Sequence, residues 1–368
     1  MRLKGAELRK VELPLVTPFR TSLGTQTVRE ALLVRVVTDE GEGWAECVAE
    51  DEPTYCPEYL EGAADVIRRF LLPALFPLEL DPAAVAPAFR HLRAHPMAKS
   101  AVETAVLDAW LRARDMSLAA YLGAVRRSLS VGVSIGIKDT VDELLGTVDK
   151  SLADGYVRIK LKIEPGWDLE PVRRVRETFG ADVMLTVDAN TAYKPGDIPY
   201  LTKLDAYGLA MIEQPFAPGD LHAHARLAAR MSTPICLDES ITSAHDAVAA
   251  IRQEACSIIN IKPGRVGGYL ESRRIHDVAQ AHGLPVWCGG MLETGLGRAA
   301  NLALAALPGF TLPGDISATR RYYERDITAP FTLVDGEMSV PEGPGIGITP
   351  EPSLLEALTT ATEWIPAP

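Results

Sequence analysis

The sequence predicts an α/β protein built on a (β/α)8 TIM barrel, with an α+β domain ahead of it. Two observations lead there. From about residue 130, short apolar runs alternate with amphipathic stretches, the pattern of parallel strands buried on both faces and joined by helices. Along that repeat three acids recur at even intervals: Asp188 in LTVDAN, Glu213 in MIEQP and Asp238 in CLDES, with both gaps 25 residues. Lys162, in RIKLKI, stands 26 residues before the first acid, and Lys262, in NIKPGRVGG, 24 after the last. About 25 residues is the length of one strand, one helix and two short loops. One functional side chain at each strand end is what a barrel active site requires.

Residues 1–125 are expected to form the first domain. AELRKVELPL and ALLVRVVTDEGEGWAECV, the latter with the turn signal DEGEG, predict an antiparallel meander. Helical periodicity follows in EYLEGAADVIRRFLLPALF, PAAVAPAFRHLRA and the long stretch KSAVETAVLDAWLRARDMSLAAYLG. Strands followed by helices make an α+β domain. Residues 126–325 are expected to form the barrel, with strands at VGVSIGI, VRIKLKI, VMLTVDA, LAMIEQP, PICLDES, SIINIKP, LPVWCGG and FTLPGDIS. TVDELLGTVDKSLADG, DLEPVRRVRETFG and GYLESRRIHDVAQAHG supply helices between them. A doubly wound sheet would need a glycine-rich phosphate turn after the first strand, and none is there. Residues 326–368, rich in Gly and Pro from GEMSVPEGPGIGITP onward, are expected to return to the first domain.

Bulk properties narrow the function. At 368 residues the chain exceeds one comfortable core, and 47% apolar with 23% charged residues is an ordinary globular balance. A net charge of −12 argues against nucleic acid or an acidic membrane as partner, although lysines and a divalent metal inside one cleft can still draw an anionic substrate. The five cysteines are scattered, without a CxxC pair; structural disulfides and a zinc site are not expected, and a reducing cytoplasm fits. MRLKGAELRK does not read as a signal peptide, and no apolar run is long enough to cross a bilayer.

Residues two apart on a strand face the same way, so Lys160 and Lys162 both point into the barrel mouth and Leu161 points away. The same parity joins Asp188 to Asn190. Three carboxylates converging on the rim make a hard oxygen site, suited to Mg²⁺ or Mn²⁺ rather than zinc. Taken singly, each acid is as easily a helix cap, and each lysine more commonly a solvated side chain; the set is what points to a site. A lysine has to lose its proton to act as a base. Lys162, beside Lys160 and a metal, and Lys262, across the barrel, are expected to have lowered pKa values. Metal and lysines together fit proton abstraction next to a substrate carboxylate. A lysine on each face allows racemisation; one alone suffices for elimination of water.

Beyond this chemistry, the motifs RIKLKIEPGWD, VDANTAY, IEQP, CLDES, NIKPGRVGGYLE and WCGGMLETGLGRAANLALA resemble those of the enolase superfamily, in its muconate-lactonising subgroup and the N-succinylamino acid racemase/o-succinylbenzoate synthase group. That superfamily's lysine base and Mg²⁺-stabilised enediolate are established chemistry. The resemblance runs along essentially the whole chain. It implies a modified (β/α)8 barrel with an N-terminal α+β capping domain, and Mg²⁺ as cofactor, with Mn²⁺ or Co²⁺ able to replace it. Asp188, Glu213 and Asp238 would be the metal ligands, Lys162 and Lys262 the opposed acid/base pair, and Lys160 the neighbour of the substrate carboxylate. Asn190 and Glu239 would support the metal site. Phe19, Arg20 and Tyr55 on capping loops, Ser134 on the first strand, Gly290, Met291 and Glu293 after the seventh, and Asp315 after the eighth would meet the substrate. His91, His95 and His276 receive no role. Related dipeptide epimerases carry Asp-x-Asp after the eighth strand to hold an ammonium; here Ser317 takes the second place, which favours an acylated amine. Many members form octamers or dimers, so a homo-oligomer is expected. Synthase activity as the main role, dipeptide epimerisation and cycloisomerisation stay open on the same scaffold. So, outside it, does a Schiff-base aldolase.

Overall fold

In the computed structural model, which describes residues 1–368, the alternation of the opening residues resolves into three antiparallel strands. These are β1 (Leu3–Thr21), β2 (Gly24–Thr38) and β3 (Glu42–Cys47). Their two faces serve two cores. Ala6, Leu8, Leu32, Val34, Val36, Ala45 and Cys47 pack under the capping-domain helices, whereas Val11, Leu13, Ala31, Leu33 and Trp44 join the barrel core.

The helix Pro96–Arg112 is buried nearly all round, because it lies between this sheet and the barrel. It approaches β3 so closely that a Cβ on Gly43 would sit 2.2 Å from the carbonyl oxygen of Ala105. The expected single helix over 99–123 does not form. The chain breaks at Asp115, in the left-handed region at φ 50°, and Ser117 caps a new short helix, Leu118–Leu122. The stretch 58–76 is likewise interrupted by a π-turn at Ile67–Leu71.

The strand β4 (Ser128–Ser130) precedes the barrel. The barrel strands are β5 (Gly132–Ile135), β6 (Arg158–Lys162), β7 (Met184–Asp188), β8 (Met211–Glu213), β9 (Ile235–Leu237), β10 (Ile258–Ile261) and β11 (Val286–Cys288). They form one parallel sheet in sequence order, each strand beside its predecessor.

The eighth expected strand, FTLPGDIS, is the exception. It closes the ring through isolated parallel bridges, Val286 with Phe310 and Val131 with Gly314, and through Asp315 N–H donating to Cys288 O at 2.9 Å. Pro313 has no N–H to give a ladder, so the segment closes the barrel without becoming a regular strand. Beyond it, β12 (Glu337–Ser339) pairs with β4, and β13 (Thr359–Pro366) runs antiparallel along β1 from Gly5↔Pro366 to Val11↔Thr359. No helix is long and apolar enough to cross a membrane.

Two buried glutamates tie the capping domain to the barrel rim. Glu46 on β3 accepts from Thr294 N–H at 2.9 Å and Thr294 Oγ1 at 2.6 Å, at the start of the helix Gly295–Ala305. Glu103, in Pro96–Arg112, accepts from Leu270 N–H at 3.1 Å, at the start of Tyr269–Ala281. A carboxylate at a helix N-terminus is favoured by the unpaired N–H groups and the helix dipole. These contacts hold the hairpin of β1 and β2 and the 50–59 loop over the C-terminal ends of the strands. Ser22, at the hairpin tip, donates to Ala189 O at 3.2 Å.

Candidate active site

The register of the barrel brings the singled-out residues to one level. Lys162 pairs with Asp188, Asp188 with Glu213, and Glu213 with Cys236, two residues before Asp238. In an eight-position ring, β6 and β10 are four strands apart, so Lys162 and Lys262 approach from opposite walls. Above them lies a cavity of about 350 Å³, large enough for a small carboxylate. Phe19, Tyr55, Ser134, Lys160, Lys162, Asn190, Lys262, Gly290, Met291 and Asp315 all contribute to its wall.

The three acids sit beneath, with Asp188 1% exposed and Glu213 and Asp238 at 0%. Lys160 Nζ donates to Asp188 Oδ2 at 3.0 Å and Glu213 Oε2 at 2.9 Å. Lys162 Nζ donates to Asp188 Oδ2 at 2.7 Å and Asn190 Oδ1 at 2.6 Å. Lys262 Nζ donates to Asp238 Oδ2 at 2.8 Å and to the Tyr55 hydroxyl at 3.3 Å, and lies 4.7 Å over the Tyr55 ring. Asn190 passes the connection on, its Nδ2 donating to Glu239 Oε1 at 3.0 Å. The strand ends are strained to achieve this: Asn190, Thr191 and Gln214 hold φ of 40°, 66° and 37°, a conformation non-glycine residues adopt rarely and mostly where a site demands it.

The electrostatics correct one expectation. Burial works to lower the pKa of Lys160, but the attraction of Asp315, Glu213 and Asp188 outweighs it and raises the value. Lys262 is likewise raised, as burial is overcome by Tyr55, Glu239 and Glu213. For Lys262 this runs against the lowering expected of it, because Glu239, Glu213 and Asp188 meet it across the barrel. The acids divide. Burial would raise Asp188, but Lys162 and Lys160 hold it well below the usual range. Glu213 is raised by burial and by Asp188, and Glu239 by the same two causes, up to about 7.

Asp188, Glu213 and Asp238, each drawn onto a lysine, do not close into a ready-made cluster of metal ligands. Their chemistry nevertheless fits a divalent cation. The donors are hard carboxylate and amide oxygens, Glu239 Oε2 is a buried carboxylate oxygen without a hydrogen-bond partner, and crowded acids with raised pKa values are what a dication relieves.

Two expected substrate contacts lie elsewhere. Arg20 is turned outward to Glu164 at 3.1 Å and Asp139 at 3.8 Å, because its neighbour Phe19 takes the inward side, edge-on to Tyr322 at 6.0 Å. Glu293 faces a smaller space between capping domain and barrel, next to Glu46, and accepts from Asn301 Nδ2 at 2.9 Å. His276 is structural: its Nε2 accepts from Gly309 N–H at 3.0 Å and its ring stacks on Phe310. Ser317 Oγ is spent on Gly132 O at 3.3 Å.

Sequence reading passed over two buried arginines. Arg265 pairs with Asp238 and donates to Ile241 O at 2.8 Å and Asn260 O at 2.6 Å; three residues beyond Lys262 in a one-turn helix, it carried no signal. Arg158 shares the strand parity of Lys160 and Lys162, and that parity could have found it.

A capping α+β domain over a barrel whose strand ends carry three acids and opposed lysines is the architecture of the enolase superfamily, and this chain belongs to it. Residues 143–354 match the family described as "Enolase C-terminal domain-like", and residues 5–123 match "Mandelate racemase / muconate lactonizing enzyme, N-terminal domain". It is an enzyme of the group whose members are named N-succinylamino acid racemase and o-succinylbenzoate synthase. The N-succinylamino acid racemase of Amycolatopsis sp is 61% identical over 99% of this chain and 100% of its own length. The o-succinylbenzoate synthase of Geobacillus kaustophilus is 47% identical over 96% of this chain and 94% of its own. The crystal structure of an enolase-superfamily member from Listeria innocua superposes with a TM-score of 0.96 at 40% identity, covering 100% of both chains.

Proposed function

We propose that this enzyme racemises N-acyl amino acids, N-succinyl amino acids above all, by proton transfer between two opposed lysines. The same site would also dehydrate the cyclohexadiene precursor of o-succinylbenzoate. The observation that carries the reading is the approach of Lys162 and Lys262 to one cavity from strand ends four positions apart. Relatives named for each of the two activities align along nearly the whole chain.

Asp188, Glu213 and Asp238 would hold Mg²⁺, or Mn²⁺ or Co²⁺ in its place, with Asn190 and Glu239 supporting them. Bound there, the cation supplies electrophilic stabilisation of the substrate carboxylate as the adjacent carbon becomes acidic. Lys160 meets that carboxylate with its ammonium. Lys162 takes the α-proton on one face, leaving a planar enediolate, and Lys262 delivers a proton on the other. Approaching from the wall opposite Lys162, Lys262 is suited to be the donor in one direction of a reversible reaction. Ser134 Oγ, buried on the cavity wall without a partner, is available to the acyl carbonyl, and Phe19 and Met291 offer apolar contact to the side chain. With Ser317 occupied by Gly132, a second acid for a free ammonium is missing, which weighs against dipeptide epimerisation. Dehydration as the main role is the second reading, favoured by the synthases among the relatives.

The test follows the α-proton of N-succinyl-L-phenylalanine by NMR in D₂O with Mg²⁺ and then EDTA, alongside optical rotation. Metal-dependent exchange with loss of rotation is expected. Exchange with rotation retained would reduce the site to one working base and make dehydration the main activity.

A further inference from the structure

Below the lysines, the barrel interior holds a charge that the reaction as described does not use. Arg158 is fully buried on β6, one inward position below Lys160. Its Nη2 pairs with Asp315 Oδ1, and Lys160 Nζ takes the other oxygen, Oδ2, at 2.6 Å. One carboxylate thus bridges two cations, and both cations lie on one face partner, the Trp287 ring, at 4.7 Å for Arg158 and 4.8 Å for Lys160. The arrangement is built rather than incidental. A Cβ on Gly132, opposite Arg158 in the register, would fall 2.5 Å from its Nε. Arg158 Nη1 reaches Thr186 Oγ1 on the next strand at 3.4 Å. The Asp315 backbone is held by Cys288 O at 2.9 Å, and its side chain by Arg158 and Lys160.

We propose that Arg158 is a positioning residue: through Asp315 it fixes Lys160 at the substrate carboxylate, and it keeps Asp315 from serving as a receptor for a free ammonium. The consequence is selection of substrates with a neutral, acylated nitrogen. A planar guanidinium suits this task better than an ammonium, since its fork spans Asp315 and Thr186 at once. The inference rests on the reading that Lys160 meets the substrate carboxylate.

The test compares Arg158→Met, Asp315→Asn, the double variant and Arg158→Lys, using α-proton exchange of N-succinyl-phenylalanine and of an unacylated dipeptide. Arg158→Met should raise KM for the succinyl substrate about tenfold or more, because the carboxylate is already charged in the ground state. Arg158→Lys should recover part of this. The double variant should lose no more than the worse single one, since the pair acts as a unit. Exchange on the dipeptide, relative to the succinyl substrate, should rise in Arg158→Met and not in the double variant. A lowered Tm with wild-type KM in every variant, or additive losses, would overturn the proposal and leave Arg158 a structural residue. If wild type exchanges neither substrate, the proposed function itself has failed. The crystal structure of Arg158→Met then decides separately: Lys160 displaced from Asp315 supports the positioning role, and Lys160 unmoved refutes it.

Discussion

Replacing Lys262 by alanine should separate the two halves of the reaction. Lys262 is 5% exposed and its ammonium is shared between Asp238 Oδ2 at 2.8 Å and the Tyr55 hydroxyl at 3.3 Å. Truncation leaves no orphaned charge, because Asp238 keeps Arg265 and accepts from Tyr55 at 3.2 Å. The stability cost should therefore be about 1–3 kcal/mol, less than the 3–5 kcal/mol of a buried pair broken outright. A positioned acid or base contributes about 10²- to 10⁴-fold, or about 3–5 kcal/mol of barrier. That loss should fall on racemisation in both directions and on the α-proton exchange of one enantiomer only. Each enantiomer of N-succinyl-phenylalanine, incubated separately in D₂O, reports this directly: one should keep exchanging its α-proton, while the other and the optical rotation stay almost still. A Tm close to wild type would show that the fold is intact. Equal slowing of both enantiomers, or racemisation at the wild-type rate, would refute the assignment of opposed faces to Lys162 and Lys262.

Three further outcomes follow from the same geometry. Asp238→Asn should weaken Mg²⁺ binding by calorimetry, since a neutral amide replaces a charged carboxylate ligand, and unchanged affinity would remove Asp238 from the ligand set. Gly289→Ala should act as a partial loss of Lys262, since the new Cβ would lie 2.6 Å from Lys262 Cε and 2.4 Å from Asn260 Oδ1; a variant with wild-type exchange on both faces would show that the lysine tolerates the shift. Glu103 is pushed up to about 7 by burial, against an ordinary value of 4.5. The folded protein therefore binds this proton more tightly than the unfolded chain, and the associated stability is present below about pH 4.5 and lost as pH rises through about 7. Glu103→Gln should flatten Tm against pH across that window, and an unchanged slope would show that Glu103 does not titrate there.

The sequence alone determined what depends on periodicity and spacing. Strand alternation and an interval of 25 residues made the barrel legible, and placed Asp188, Glu213, Asp238, Lys162 and Lys262 at strand ends, because strand parity and helix length are local properties. The antiparallel opening of the chain was legible for the same reason. Other features depend on what a segment meets across space, and only the tertiary structure decided them. FTLPGDIS has the composition of a strand but closes the ring by two bridges, since Pro313 withholds a donor from its neighbours. Arg20 and Phe19 are adjacent, yet only the packing against Tyr322 decides which of them faces the cavity. Glu293 follows the seventh strand as expected, but Asn301 holds it in the seam between capping domain and barrel. The electrostatics of Lys262 was the deepest of these differences. Sequence shows Lys262 at a strand end, but its charge balance is set by Glu239, Glu213 and Asp188 arriving from other strands, and electrostatic energy depends on distance and burial rather than on order along the chain.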